Sequence, residues 1–319
     1  MNTLPYYLGF DTSNYTTSVA LYESGEGTIR HSRQLLPVEP GQLGLRQSDA
    51  LFHHVRRLPG VMEEVLGGQA PIGAVCASEK PRNLPDSYMP CFLAGAAAAK
   101  GIALALGAPY YGTAHQDGHL AAALYSAGRL DLMDRPFLGF HISGGTMEVV
   151  RVVPGKTDVF AIRVLGHTLD LSAGQLIDRV GARLGLSFPA GPQLEALAAA
   201  GTTTDKRVIP LRDGCCNLSG MENVMDRLLE AGTPPADAAR LLLNTLADLL
   251  WRMTRAALEQ VDRLPVVYSG GVLCNGLIRA RLGQGDWESV FAAPEFSSDN
   301  AAGVAVLGYY TDRLRRREG

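Results

Sequence analysis

Two stretches of the sequence share one pattern, in which a strand-like segment, a polar or glycine turn and a second strand-like segment follow one another. The first stretch is YYLGFDTSNYTTSVALYES, from Tyr6, and the second is PFLGFHISGGTMEVVRVV, from Pro136. In both, apolar and β-branched residues flank the turn-forming residues. Since the pattern opens each half of a 319-residue chain, it predicts an internal duplication that gives two similar α/β units.

The segments between these patterns alternate between helical and strand-like periodicity. In the first half we predict helices in SDALFHHVRRLPGVMEEVL and in CFLAGAAAAKGIALALG, which ends at Gly107, and short strands in IGAVCAS and APYYGTA. In the second half we predict long helices in SAGQLIDRVGARLGL and PADAARLLLNTLADLLWRMTRAALEQV, a strand in LPVVYSGGV and a last helix in NAAGVAVLGYYTDRLRRR. Residues 201–223 are predicted to be the least structured region. The predicted domains are residues 1–133, packed with the C-terminal helix 300–316, and residues 134–299.

Three turns carry small and polar residues at matched places, namely DTSNYTT (11–17), SGGT (143–146) and SGGV (269–272). Consecutive glycines let backbone N–H groups approach phosphate oxygens, with Ser and Thr hydroxyls as further donors. One such turn alone is better explained as a hairpin. Two hairpin loops that face each other across a cleft hold ATP in the fold of actin, hexokinase and Hsp70. The predicted fold class is therefore an actin-like (ASKHA) α/β fold with two duplicated ribonuclease-H-like domains around a nucleotide cleft.

Two histidines lie four residues apart in GTAHQDGHLAAAL, at the predicted start of a helix. This spacing puts His115 and His119 on one helical face, as a divalent metal site requires, although paired surface histidines are also common. Asp299, just before the last helix, offers a third ligand. Such a His₂Asp set leaves coordination positions open, which is typical of a catalytic ion. Asp178 could bind ribose hydroxyls, or it could be a surface acid paired with Arg179 or Arg183.

Composition adds little functional signal. The net charge of −3 gives the whole molecule no attraction for nucleic acid or anionic lipid. No run of about 18 apolar residues predicts a membrane span, and the N-terminus does not read as a signal peptide, so we predict a cytoplasmic protein. The five cysteines form no C-x-x-C pair, and we assign them no role.

Several motifs together resemble the TsaD family, also called Gcp and formerly O-sialoglycoprotein endopeptidase. They are AHQDGHLAAAL, HISGGTMEVV, LGHTLDLSAGQLIDRVGARLGLSFPAGPQLEALA, VVYSGGVLCNGLIRARL and PEFSSDNAAGVAVLGYY. The resemblance implies an actin-like fold and transfer of a threonylcarbamoyl group from its adenylate to adenosine 37 of tRNAs that read ANN codons. It also implies tRNA and partner proteins that bind through the N-terminal domain, with a homodimer as a further option.

The resemblance also implies roles for individual residues. His115, His119 and Asp299 would bind one divalent metal ion, iron or zinc, with magnesium as a third option. ATP or threonylcarbamoyl-AMP would be the nucleotide, and Asp11 and Ser13 of the first turn are candidate catalytic residues. Asp178 would bind the ribose, and Gly191 and Asn275 would lie against the adenosine. The remaining candidate nucleotide contacts are His141, Ile142, Ser143, Gly144, Gly145, Gly270 and Gly271.

Three segments differ from the usual family pattern. The first turn reads DTSNYTT in place of ETSCDET, so acidic side chains are lost around Asn14 and Tyr15. The segment SEKPRNLPDSYMPCF replaces a glycine-rich GPGL segment, and Glu222 stands where a lysine is usual. These differences suggest a divergent paralogue. Alternative functions are carbamoyl or acyl transfer to another acceptor, hydrolysis, or a non-enzymatic partner subunit.

Overall fold

The computed structural model describes residues 6–13, 15–37, 45–68, 71–156, 158–261 and 263–318. Residue contacts divide the chain into two compact units. The first unit comprises Met1–Met133, Pro154–Ala161 and Asp299–Gly319, and the second comprises Asp134–Val153 and Ile162–Ser298.

The first unit has a five-stranded sheet in the order β3-β2-β1-β4-β5. Strands β1 and β2 form an antiparallel hairpin, β3 extends it antiparallel to β2, and β4 and β5 are added parallel to β1. Its elements are β1 (Tyr6–Asp11), β2 (Thr16–Glu23), β3 (Thr28–Leu35), α1 (Gln47–Leu66), β4 (Ile72–Lys80), α2 (Phe92–Leu106), β5 (Tyr110–Ala114), α3 (His115–Ser126) and α9 (Ala302–Glu318).

The sheet of the second half repeats this connectivity, in the order β10-β9-β6-β7-β8. Strands β6 and β7 form the antiparallel hairpin, and β9 and β10 are added in parallel. This repeat is what an internal duplication predicts. The elements are β6 (Phe137–Ile142), β7 (Met147–Pro154), β8 (Phe160–His167), α4 (Ala173–Arg183), α5 (Gly191–Ala199), α6 (Ser219–Glu230), α7 (Pro235–Leu258), β9 (Val266–Ser269), α8 (Gly276–Leu282) and β10 (Ser289–Phe291).

Each unit buries one face of a long helix or helix pair against its sheet. In the first unit, Val61 and Val65 of α1 and Ala99 of α2 pack with sheet residues such as Phe10 and Val75. In the second unit, α7 contributes fully buried leucines to a core that also contains Leu138 and Phe140; these are Leu242, Leu246, Leu249 and Leu250. Burial of such side chains contributes about 1.5–3 kcal/mol each.

The predicted helices and strands are present, with α2 ending at the left-handed Gly107 as expected. The region predicted to be least structured, 201–223, has no helix up to Leu218, but α6 begins at Ser219, so that prediction is wrong for its last five residues. Strands β3, β8 and β10 were not predicted. Among the helices that the structure describes, none is long and apolar enough to cross a bilayer.

Candidate metal centre and nucleotide-binding turns

The two histidines of the first unit share one face of α3. His115 is the first residue of this helix, directly after β5, and His119 lies one turn further on. Their Nε2 atoms are 2.9 Å apart, and His119 is buried. The predicted pairing on one helical face is therefore present.

Asp299 reaches both histidines because the last helix packs closely on α3. A Cβ atom at Gly303 would lie 1.8 Å from the Gly118 carbonyl oxygen, so only glycine permits this approach of α9. The Oδ1 atom of Asp299 lies 3.6 Å from Nε2 of His115 and 3.4 Å from Nε2 of His119. Two imidazole nitrogens and a carboxylate oxygen at these separations fit around one ion with ligand bonds of about 2.0–2.2 Å.

Asp11 connects the first turn to this cluster. Its carboxylate is buried at the end of β1, and Oδ2 accepts hydrogen bonds from Nδ1 of His115 at 2.7 Å and from Oγ of Ser78 at 2.5 Å. Oδ1 accepts from the backbone N–H of Ser13 at 2.9 Å. Asp11 therefore contacts a candidate metal ligand through the ring nitrogen that does not face Asp299.

The charges of the cluster stabilise one another without a metal. Burial lowers the pKa of His115, but Asp11 and Asp299 outweigh it and raise that pKa to about 10. Burial raises the pKa of Asp299, but hydrogen bonds from both histidines bring it below its usual value. Burial and the charge of His115 lower the pKa of His119. One imidazole is thus held cationic and the other neutral.

Two buried polar atoms near the cluster have no hydrogen-bond partner among the described residues. They are Oγ of Ser13 and Oδ1 of Asp117, which lies between the two histidines in the sequence. Burial raises the pKa of Asp117 to about 7. Buried polar atoms without partners are uncommon in folded proteins, and they are often found where a ligand or ion binds.

In the second unit, the SGGT turn joins β6 to β7 and is braced by α4. The backbone N–H of Ser143 donates to the Thr146 carbonyl at 2.8 Å, and Oγ of Ser172 donates to the Gly144 carbonyl at 2.7 Å. A Cβ atom at Gly174 would lie 2.6 Å from the Ser143 carbonyl oxygen, so the first turn of α4 presses on the loop. Gly144 and Gly145 are exposed, with open space where a Cβ would be.

The SGGV turn after β9 lies beside this loop. Gly270 has a φ of 102°, and a Cβ there would lie 2.2 Å from the Ile142 carbonyl oxygen. Nδ1 of the buried His141 lies 3.4 Å from Oγ of Ser269, while Gly271 is exposed. The structure therefore brings together the predicted residues His141 to Gly145 and Gly270 to Gly271.

The predicted adenosine and ribose contacts form a second group in the same unit. Asp178 is half-buried, and its Oδ1 accepts from the Ala190 N–H, directly before Gly191, at 2.8 Å. Burial raises the pKa of Asp178. Oδ1 of Asn275 accepts from the Leu277 and Ile278 N–H groups, which makes Asn275 the N-cap of α8.

The surface alternative for Asp178, a pair with Arg179 or Arg183, is not what the structure shows. Both arginines bind Glu222 instead, at 2.9 and 2.7 Å, and Arg183 also binds Asp226. Of the two residues singled out in the first turn, Tyr15 accepts a hydrogen bond from the Leu36 N–H through its carbonyl. Asn14 lies outside the described residues.

Sequence reasoning missed three residues that support the predicted ones. Ser78 binds Asp11, Ser172 binds the SGGT turn, and Oε1 of Glu195 accepts from the Gly276 N–H at 2.7 Å, next to Asn275. For Ser172 a sequence signal existed, because Ser172 and Gln175 form a capping box, S-x-x-Q, at the start of α4. Ser78 carries no such local signal.

Comparison with known proteins gives a consistent result. Residues 48–306 match the family described as TsaD: tRNA N6-adenosine threonylcarbamoyltransferase. Two curated relatives bear that name, from Burkholderia thailandensis, 30% identical over 94% of this chain and 90% of the relative, and from Pyrobaculum neutrophilum, 28% identical over 96% and 88%.

Similar solved structures support the fold class. Full-length HypF in its phosphate- and nucleotide-bound form superposes with a TM-score of 0.61 at 12% identity, over 97% of this chain and 46% of that chain. A ROK family glucokinase from Streptomyces griseus, in complex with glucose and AMPPNP, gives 0.52 at 14% identity over 98% and 100%. The predicted actin-like (ASKHA) fold is thereby confirmed.

Proposed function

Because the chain belongs to the TsaD family, we propose that it transfers a threonylcarbamoyl group from threonylcarbamoyl-AMP to N6 of adenosine 37 in tRNAs that read ANN codons. The observation that carries this proposal is the cluster of His115, His119 and Asp299, whose ligand atoms converge in a chain with TsaD relatives along nearly its whole length. A protein that served only as a binding partner would have no use for such a donor set.

The reaction is an acyl transfer from a mixed anhydride. The N6 amine attacks the carbamoyl carbonyl carbon, the bond from that carbon to the phosphate oxygen breaks, and AMP leaves with the oxygen while N6 loses a proton. No covalent bond to the protein is needed. When bound, a divalent ion would supply Lewis-acid polarisation of the carbonyl.

His115, His119 and Asp299 would hold that ion. Two imidazoles with one carboxylate favour iron or zinc, since ligand sets for magnesium are mostly oxygen. The convergent donors and the unpartnered Oγ of Ser13 support a bound ion or substrate oxygen here. For Ser13 we retain the catalytic role predicted from sequence as part of this proposal.

The nucleotide would be held by the second unit. The exposed backbone of Gly144, Gly145 and Gly271 offers N–H groups to phosphate oxygens. Asp178 keeps its Oδ2 for ribose hydroxyls while its Oδ1 binds Ala190, and Gly191 leaves room for the adenosine. ATP or threonylcarbamoyl-AMP fits this arrangement.

The proposal includes tRNA as the acceptor, family partner proteins that bind through the N-terminal unit, a homodimer as one assembly, and a cytoplasmic location. A second candidate is carbamoyl or acyl transfer, or hydrolysis, on another acceptor. The observation that favours it is Glu222, which neutralises Arg179 and Arg183 at a position where the family usually has a lysine that could meet RNA phosphate.

A reconstituted assay tests the proposal. The metal-loaded protein is incubated with threonylcarbamoyl-AMP and unmodified ANN-decoding tRNA, with and without family partner proteins, and modified adenosine is measured. We expect modified adenosine from wild type, none from tRNA with guanosine at position 37, and a loss of at least about 100-fold for His115→Ala. AMP release without RNA modification would instead support the second candidate.

A further inference from the structure

We propose that Asp11 and Ser78 are positioning residues for the metal centre: Asp11 fixes the ring of His115 through Nδ1–H, and Ser78 fixes Asp11. This inference rests on the proposed metal centre. It gives Asp11 a role other than the catalytic one predicted from sequence, since its carboxylate contacts a metal ligand rather than the open side of the site.

The hydrogen bonds of Asp11 leave it little freedom to act on a substrate. Its side chain is 1% exposed, and its two oxygens accept three hydrogen bonds, from the Ser13 N–H, the Ser78 hydroxyl and Nδ1 of His115. These donors come from three parts of the first unit: the turn after β1, strand β4 and the start of α3. The carboxylate is therefore held from three directions.

This geometry decides which nitrogen of His115 can bind a metal. An imidazole that donates from Nδ1 presents the lone pair of Nε2, and Nε2 is the atom that lies 2.9 Å from Nε2 of His119 and 3.6 Å from Oδ1 of Asp299. A carboxylate behind a metal-bound histidine orients the ring and increases its basicity. Asp11 thus acts on the metal only through His115.

Ser78 has a distinct part in this arrangement. Its hydroxyl donates to the same oxygen of Asp11 that His115 uses, at 2.5 Å, and it is fully buried on β4. This bond restricts the carboxylate to the rotamer that faces His115. Removal of the hydroxyl leaves the negative charge in place but frees its orientation, so Ser78 and Asp11 variants separate orientation from charge.

The test measures metal affinity of the full-length protein with Zn(II) or Co(II) alone, by competition with a chromophoric chelator. We expect Asp11→Ala to weaken binding by about 10- to 100-fold. Asp11→Asn, whose amide oxygen can still accept from Nδ1–H, should lose less. Ser78→Ala should lose about 3- to 10-fold.

Asp312→Asn is the matched control. Asp312 is also a buried carboxylate of the first unit, 3% exposed and bound by Tyr7, Tyr111 and Arg316, but it lies outside the metal cluster. We expect this variant to melt at a lower temperature and to bind Zn(II) as tightly as wild type. Melting curves of all variants identify any that fail to fold, and Ser78→Ala, the mildest change, keeps the proposal testable in that case.

A spectroscopic signature separates positioning from general stability. In the Co(II)-loaded protein, the exchangeable Nδ1–H proton of His115 should give a slowly exchanging, paramagnetically shifted signal. This signal should be lost in Asp11→Ala and kept in Asp312→Asn. Folded Asp11→Ala protein that binds Zn(II) within twofold of wild type overturns the positioning role alone. Wild-type protein that binds neither ion removes the metal centre itself.

Discussion

His115 uses its two ring nitrogens for different purposes: Nδ1 faces Asp11 and Nε2 faces His119 and Asp299. A proton on Nε2 therefore competes with a metal ion for the same lone pair. The sequence predicted the three donor residues, since the H-x-x-x-H spacing and an acidic residue before the last helix are local signals. The support from Ser78 was not predictable, because it depends on how β4 pairs with β1.

The pH dependence of metal affinity follows from this competition. Burial opposes the charge on His115, but its acidic neighbours raise its pKa to about 10, so below that pH a bound ion must displace a proton. We expect Co(II) affinity to rise with pH, by up to about tenfold per unit, in titrations between pH 6.5 and 8.5. An affinity that is flat over this range would show that His115 does not give up a proton to the metal.

The same shift predicts how the stability of the metal-free protein depends on pH. The pKa of His115 is raised from 6.5 in the unfolded chain to about 10 in the folded one. Its ion pairs therefore stabilise the fold fully below about pH 6.5, and this contribution is lost as the pH rises toward 10. Urea unfolding of chelator-treated protein should show a midpoint that falls over this interval, and the fall should be absent in His115→Gln.

At the scale of elements, sequence patterns identified the central strands but missed β3, β8 and β10. All three lie at the edges of their sheets, where one side has no neighbouring strand. Strand β3, TIRHSRQL, is mostly polar and half-exposed, and β10 has three residues, so neither carries the apolar alternation of a buried strand. Helix α6 was partly missed because its first turn, SGME, follows a polar, glycine-containing segment.

The first turns of α4 and α5 give a matched pair of glycine variants. A Cβ at Gly174 would lie 2.6 Å from the Ser143 carbonyl, whereas nothing lies within 4 Å of a Cβ at Gly191. We expect Gly174→Ala to destabilise the second unit by about 1–3 kcal/mol, as overpacked sites do. Gly191→Ala should unfold like wild type but bind AMP more weakly, because the methyl group occupies the proposed adenosine site.

Urea unfolding and AMP titration of both variants check this prediction. Equal stability of the two proteins would contradict the close contact between α4 and the SGGT turn. Unchanged AMP affinity of Gly191→Ala would instead contradict the proposed position of the adenosine and leave the contact of α4 unaffected.

At the scale of the whole molecule, the duplication was predictable because both halves open with the same strand–turn–strand pattern. The overall charge of −3 was also plain, and it means that binding of an RNA polyanion depends on local cations. Arg179 and Arg183 are two such cations, but Glu222 occupies both guanidinium groups. The effect of Glu222 was predicted in sign only, since the sequence does not show which cations it contacts.

Substitution of Glu222 should therefore strengthen RNA binding. We expect Glu222→Gln to bind tRNA more tightly and with a steeper salt dependence, by roughly 0.9 in log–log slope for each phosphate gained. The control is Asp226→Asn, because Arg183 then keeps its contact with Glu222. Filter binding between 50 and 200 mM salt, roughly the range over which such contacts change affinity, measures both slopes. Weaker binding by Glu222→Gln would show that this face does not meet RNA.

Metal titration of the transfer reaction tests the central claim most directly. Chelator-treated protein is mixed with threonylcarbamoyl-AMP, tRNA and any required partner proteins, and Zn(II) or Fe(II) is added in steps while modified adenosine is counted. We predict that wild-type activity rises to a plateau at one ion per chain and that His115→Ala and His119→Ala stay inactive at every step. Full transfer by metal-free protein, or equal transfer by the histidine variants, would contradict a metal centre at His115, His119 and Asp299.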